Sequence, residues 1–255
     1  YGLMMIDELS KPITVSSEAP DNIASLETLA EYSEEFDGGQ TSLFIFDASI
    51  RGERNDTSAI RDLPVLDNMD AIEMKVDKVN QTNTTSVITF LKAIPVTIEI
   101  TEGITLYEGS LWDLLHEECW ESNSPECIHW MALDADVNGG GREGMRRDMV
   151  DVVFDTLSPE VLSMLTNSDG TKALVYVTQP YLNLNYAGGL REDIDKMLEE
   201  PLPEEGIRIS PLTGGLPVSL DINEGIHDSQ SQTTIITLIV LTLVLMVMFR
   251  SPRLG

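Results

Sequence analysis

Near its end the chain reads IITLIVLTLVLMVMF from Ile235 to Phe249, an apolar run without a charged residue. Its only polar members are Thr237 and Thr242, and a threonine hydroxyl can bond back to its own helix. With the two threonines before it, the run predicts a helix of about 26 Å, just short of a hydrocarbon core of about 30 Å. A core helix of a soluble domain usually keeps a polar face, which this run lacks. The sequence therefore predicts one transmembrane helix, over residues 231–250.

The charge of the chain bears on its partners and its orientation. The 255 residues include 43 acidic and 16 basic ones, a formal net charge of -27. Such a charge repels phosphate backbones, so it excludes nucleic-acid binding. Positive residues beside a membrane helix favour its cytoplasmic end, and Arg250 and Arg253 follow the run. We expect residues 1 to about 230 to be extracytoplasmic and residues 251–255 to form a cytoplasmic turn of a cell-membrane protein.

Three N-glycosylation-type triplets, which begin at Asn55, Asn80 and Asn83, are compatible with an external location. The first residue is Tyr1, and the residues after it lack the basic start of a signal peptide. We therefore expect a segment of a longer membrane protein, in which the first six residues are the outer end of an earlier membrane helix.

The outer part begins with alternating helix and strand patterns. An amphipathic helix is predicted over Asn22–Phe36, and Leu43–Phe46 has the composition of a buried strand. Pro64 opens a second helix, and Ser86–Phe90 is predicted to be a second strand. Spacings of three or four residues place five apolar side chains on one face of that second helix: Leu66, Met69, Ile72, Val76 and Val79.

The same order of strand, helix and strand recurs later in the chain. Its strand is predicted over Ala173–Val177, its helix over Leu190–Leu198 and its last strand over Gly206–Ile209. Two such units can share one sheet in the split βαβ manner, with helices on one face and the other face free to pack against a neighbour. The predicted fold class is therefore α+β.

The middle region, residues 103–168, is predicted to be a mainly helical insert between these two units. Its helices are predicted over Leu106–Cys119, Arg142–Leu157 and Ser158–Leu165, with Ser158 as N-cap of the last one. The sequence thus predicts five segments. They are the first half of the outer domain (1–102), the insert (103–168), the second half with the helix that leads to the membrane (169–230), the membrane helix (231–250) and a turn (251–255).

The two cysteines, Cys119 and Cys127, fall inside this insert. A disulfide closing a small loop is the interpretation that we favour, because an oxidising exterior permits it. The alternatives are free thiols, or a zinc site with His116 and His129, although the spacing lacks the usual Cys-x-x-Cys pair.

A second metal candidate is the stretch from Asp134 to Gly139, which begins like a calcium loop. Asp134, Asp136 and Asn138 place oxygens at positions one, three and five. Position twelve, where an EF-hand supplies a bidentate Glu, is Met145. We therefore favour a glycine-rich turn over a calcium site.

Catalytic chemistry has no sequence signature here. There is no nucleophile elbow and no His-Glu-x-x-His, and the carboxylates are scattered as on a solvated surface. We predict no catalytic, cofactor-binding or metal-binding residue and no enzyme. Three tryptophans are interpreted as core of the insert rather than as a substrate-facing patch: Trp112, Trp120 and Trp130.

The last forty residues resemble a known family. Thr213-Gly-Gly-Leu-Pro217 is followed by Asp221–Gln230, which leads directly into the apolar run and on to Phe249-Arg-Ser-Pro-Arg253. This order is similar to the resistance-nodulation-division (RND) superfamily of exporters, specifically its MMPL-type or third hydrophobe/amphiphile efflux branch. In that family a TG-x-P segment leads through a polar helix into the second membrane helix, which ends in FRS-x-R.

The resemblance implies the first extracytoplasmic porter domain and the second transmembrane helix of a proton-driven exporter of lipids or other amphiphiles. Cargo would move by alternating access. The partners would be the remaining membrane helices, a second porter domain of the same transporter and the amphiphilic cargo, and no cofactor is implied. The proton-carrying acids of the family lie in other membrane helices. The alternative is a surface-anchored binding or structural domain with a single span.

Overall fold

The structure is a computed structural model with mixed helix and strand and one long apolar helix at its C-terminal end. The predicted helix Asn22–Phe36, the triplets at Asn55 and Asn80, and Arg250 lie outside the described residues. The described residues are 39–50, 58–79, 82–101, 104–135, 140–179, 184–202 and 206–249.

The chain divides into two compact units. We call residues 41–179 with 193–212 the sheet unit. The other, the helix unit, has 39–40, 184–192 and 213–249 as its described residues.

Four strands hydrogen-bond in the order β2-β5-β1-β6. Strands β1 and β6 pair antiparallel with Phe46 opposite Ile209, and β2 and β5 pair antiparallel with Thr84 opposite Val177. The predicted strands at 43–46 and 173–177 are confirmed. The strands are β1 (Gln40–Asp47), β2 (Asn83–Thr85), β5 (Lys172–Gln179) and β6 (Arg208–Ile209).

The core of the sheet unit lies on one face of the sheet. Alternate side chains of β1 and β5 are buried. Helix α1 (Leu63–Val76) contains four of the five apolar residues that were predicted to share one helix face, and all four are buried. The fifth, Val79, follows the end of the helix. The opposite face of β1 is more exposed, with Ile45 at 36%. The buried set includes Phe44, Phe46, Val175, Val177, Leu66, Met69, Ile72 and Val76.

The predicted strand Ser86–Phe90 is wrong, because helix α2 (Val87–Ala93) occupies these residues. The Ser86 hydroxyl accepts a hydrogen bond from the Ile88 N–H at 3.0 Å, and the Thr89 hydroxyl accepts one from the Ser86 N–H at 3.1 Å. This capping box satisfies two free N–H groups of the first turn and outweighs the β-favouring composition. The strand β2 ends just before it.

The predicted helix Leu106–Cys119 is also wrong. Strands β3 (Pro95–Thr101) and β4 (Ile104–Ser110) form an antiparallel hairpin, and a helix, α3 (Leu111–Leu115), begins only after it. The Ser110 hydroxyl caps α3 by accepting from the Asp113 N–H at 3.0 Å. Pairing with β3 satisfies the backbone hydrogen-bonding groups of residues 104–110. The spacing of apolar residues within 104–110 does not reveal this pairing.

The other predicted helices that fall on described residues are confirmed. Ser158 caps its helix as predicted, with its hydroxyl accepting from the Val161 N–H at 3.3 Å. The helices are α4 (Ile128–Met131), α5 (Gly141–Thr156), α6 (Pro159–Leu165), α7 (Leu184–Leu198) and α8 (Gly215–Phe249), and a short strand, β7 (Thr213–Gly214), precedes α8. Single 3-10 turns lie at Ala59–Arg61, Glu118–Trp120, Pro125–Cys127 and Ala132–Ala135.

Candidate functional site

The longest element, α8, is one continuous helix of 35 residues. At about 1.5 Å per residue it is about 52 Å long, which exceeds the roughly 30 Å of a hydrocarbon core. Its apolar window is not covered by any other described part of the chain, and Leu241 and Val247 are 54% and 77% exposed. Apolar surface on this scale is unfavourable in water and favourable in lipid or against other membrane helices. By length and composition α8 can cross a membrane.

The first turns of α8 are held by Arg191, whose role has no motif in the sequence. In the helix unit, Arg191 of α7 donates from Nη1 to the carbonyl oxygen of Pro217 at 3.1 Å. Its two terminal nitrogens also donate to both carboxylate oxygens of Asp221, with Nη2 and Oδ2 separated by 3.3 Å. A planar guanidinium can satisfy such a fork of acceptors and lysine cannot. In the sequence, the role of Arg191 is indicated only by the scarcity of basic residues in a strongly acidic chain.

Helix α8 and the region before it are similar to a known protein family. Residues 142–255 match the model of the MMPL family. The match confirms the resemblance to an RND/MMPL-type exporter fragment and supports a membrane protein of transport function. Neither the search of curated proteins nor that of solved structures found a match.

Arg142, in the first turn of α5, is the centre of a buried polar cluster. Arg142 is 8% exposed and donates to the carbonyl oxygens of Cys119 at 2.8 Å and Ser122 at 2.7 Å. It also donates to Asn123 Oδ1 at 2.7 Å and, through Nε, to Asp134 Oδ1 at 3.1 Å. A buried guanidinium needs such a set of acceptors because its desolvation is costly. Arg142 thus fixes the cysteine loop to α5.

Arg142 also bears on the calcium interpretation. Asp134, the first of the three candidate ligands, accepts hydrogen bonds from Arg142, and this lowers the pKa of its carboxyl. Asp136 and Asn138 lie outside the described residues. The carboxylate of Asp134 therefore has a cationic partner in the protein itself.

The two cysteines lie at the ends of the loop that Arg142 holds. Their sulfur atoms are bonded to each other, their Cα atoms are 5.2 Å apart, and both residues are buried. The zinc arrangement is not formed, because both sulfurs are used in the bond and His116 contacts Asp67 instead. Within the described ranges no three His, Cys, Asp or Glu side chains converge on a possible metal position.

The three tryptophans lie in the interior around this loop, as predicted. Trp120 and Trp130 are 5% and 3% exposed and meet edge to face with ring centroids 4.8 Å apart. The Trp120 Nε1–H donates to the carbonyl oxygen of Leu114. Trp112 is 8% exposed and lies 4.4 Å from the His116 ring. They are core residues, which leaves no tryptophan patch for a ligand.

Proposed function

We propose that the chain is the outer porter domain and second transmembrane helix of a proton-driven RND/MMPL-type exporter of lipids or other amphiphiles. The observation that carries the proposal is the MMPL match, which ends in an exposed apolar helix longer than a bilayer is thick. The finer assignment to the third hydrophobe/amphiphile efflux branch rests on the sequence resemblance alone.

The strand order supports a porter domain of two split βαβ units. In the order β2-β5-β1-β6, β5 lies between β1 and β2, and β1 lies between β5 and β6. Each strand-helix-strand half therefore contributes one strand to the middle of the other half, as a split βαβ arrangement requires. Residues 87–171, which we call the intervening segment, connect β2 to β5 and would be the elaboration added to this domain. The boundaries 1–102, 103–168 and 169–230 belong to the same proposal.

The orientation is proposed from charge and cysteine chemistry. Residues up to about 230 would be extracytoplasmic and the C-terminus cytoplasmic, because Arg250 and Arg253 follow the apolar run. A disulfide between Cys119 and Cys127 fits an oxidising exterior. The partners would be the other membrane helices and the second porter domain of the complete transporter.

In alternating access, outer domains and membrane helices must move together. Helix α8 is continuous from Gly215 to Phe249, so a movement of its outer end is transmitted along a rigid element. Arg191 of α7 holds that outer end by donating hydrogen bonds to the Pro217 carbonyl oxygen and the Asp221 carboxylate. We assign α8 the role of a strut and Arg191 that of a positioning residue.

The test is amphiphile export by the complete parent protein in proteoliposomes with an imposed proton gradient. Arg191→Ala should reduce the export rate roughly tenfold without a loss of membrane insertion, since a bidentate charged contact is removed. Arg147→Ala, an exposed arginine on α5, is the matched control. Export that persists after the gradient is collapsed would contradict proton coupling. A chain that binds amphiphile but never transports it would favour the surface-anchored alternative.

A further inference from the structure

Beside the ion pair between Asp70 and Lys92, two side-chain contacts join helix α1 to α2 and α3. His116, the C-cap of α3, lies with Nε2 2.7 Å from Oδ1 of Asp67. Ser86, the N-cap of α2, donates its hydroxyl hydrogen to Oε1 of Glu73. Asp67 and Glu73 both belong to α1, so the two contacts lie along one seam within the sheet unit.

The surroundings of His116 require two protons on its ring. Nε2 faces the carboxylate of Asp67, and Nδ1 faces the carbonyl oxygen of Trp112 at 2.8 Å. The Trp112 carbonyl oxygen and the ionised carboxylate of Asp67 are both acceptors, and a neutral imidazole carries a single N–H. Only the imidazolium form satisfies both contacts. In agreement, the hydrogen bond to Asp67 is the main cause that raises the pKa of His116.

In the second contact, burial favours a proton on Glu73, and the hydrogen bond from Ser86 opposes this only in part. Glu73 is 5% exposed, and the hydroxyl of Ser86, which also accepts the N–H of Ile88, can donate only one hydrogen bond to it. A buried carboxylate with a single donor is poorly solvated. Burial accordingly raises the pKa of Glu73 to about 7.

The other charges near the seam come from three helices. On α1 and at its end, Asp70 and Asp77 disfavour ionisation of Glu73, whereas Lys92 of α2 favours it and also pairs with Asp70 at 2.5 Å. On α5, Arg146 lowers the pKa of His116 and pairs with Glu121 at 3.2 Å. Strand β2, the element between α1 and α2, contributes no titratable side chain.

We propose that this seam is a proton-dependent clamp, which holds the start of the intervening segment against α1 when His116 and Glu73 are protonated and loosens when they are not. For His116, stabilisation is fully present below its ordinary pKa of 6.5 and is lost as pH rises through the raised value. For Glu73, it is fully present below 4.5 and is lost as pH rises through about 7. The two effects have the same sign.

The clamp can be tested by amide hydrogen exchange on the full chain in detergent micelles, at about pH 5.5 and about pH 8 and corrected for the intrinsic rate. Amides of α2 and α3 should exchange roughly tenfold faster at the higher pH, while those of β5 keep their protection. His116→Gln should remove the protection of α3 at low pH, and Glu73→Gln should keep α2 protected at both pH values.

Two surface variants serve as controls. Glu200→Gln removes a carboxylate that pairs with Lys75 of the same helix α1, and His129→Gln removes an exposed histidine, so both should behave as the unmodified chain. Equal protection of α2 and α3 at both pH values would overturn the proposal. So would an unchanged pH dependence in both His116→Gln and Glu73→Gln. If either variant does not fold, an NMR titration of His116 in the unmodified chain decides, and a midpoint at or below 6.5 overturns the clamp.

Discussion

The guanidinium of Arg142 donates a hydrogen bond to the carbonyl oxygen of Cys119 at 2.8 Å, so the start of α5 holds one end of the disulfide loop. The same side chain holds Ser122 and Asn123 in the middle of that loop. The loop conformation therefore depends on α5 as well as on the covalent bond.

Arg142→Ala should destabilise the outer domain by about 3 kcal/mol, because four acceptors lose a buried charged donor. Chemical denaturation followed by tryptophan fluorescence measures this, since Trp120 lies within the disulfide loop and Trp130 contacts it. Arg142→Lys should recover less than half of the lost free energy, because a single ammonium group cannot replace the planar guanidinium, which donates to several acceptors at once. Arg147→Ala is the control, and a loss of equal size there would contradict the assigned role of Arg142.

The bond between Cys119 and Cys127 should add about 2 to 3 kcal/mol, the value expected for a short closed loop. The double variant Cys119→Ser with Cys127→Ser should show this loss in the same denaturation experiment. Without reductant, neither cysteine of the chain isolated from its native membrane should react with an alkylating agent. A mass increase from alkylation under those conditions would show that the thiols are free.

The free energy of unfolding should fall as pH rises between 4.5 and about 7, because the folded state binds the proton of Glu73 more tightly than the unfolded state does. The full effect of this one group is about 3 kcal/mol. Glu73→Gln should flatten the profile over this range, as measured by denaturation at a series of pH values. Glu200→Gln, which removes an exposed carboxylate, should leave the slope unchanged, and a steep slope in Glu73→Gln would assign the effect to other groups.

Leu241→Arg should disfavour membrane insertion by about 3 kcal/mol, because it places a charge in the middle of the apolar run. Ile222→Arg, in the same helix but before the run, should have little effect. Extraction of membranes at alkaline pH, followed by detection of the chain in pellet and supernatant, separates the two variants. Equal retention of both in the pellet would argue against α8 as the span.

The sequence predicted the elements whose signal is local. Residues 43–46 and 173–177 are apolar and β-favouring and form strands, and Ser158 caps its helix through its own hydroxyl. The errors arose where a pairing partner or a cap decided the outcome. Residues 87–93 have a β-favouring composition, but the cap provided by Ser86 favours helix α2. Residues 104–110 have helical spacing, but pairing with β3 favours strand β4.

In the candidate site, too, some features could be predicted from local sequence and others could not. The apolar run at 235–249 predicted a membrane helix, because length and composition decide whether a helix is stable in a bilayer. The residues that flank the run carried the resemblance to the MMPL family. The roles of Arg191, Arg142 and the His116 contact could not be predicted, since each depends on acceptors distant in sequence.

Local sequence patterns were enough to predict the apolar helix, the family resemblance and most helices and strands, because each of these depends on neighbours within a few residues. The strand order β2-β5-β1-β6, the cluster around Arg142 and the contacts of Asp67 with His116 and of Glu73 with Ser86 became visible only in three dimensions. The physical reason is that burial and hydrogen bonding between distant residues set the protonation and conformation of these side chains.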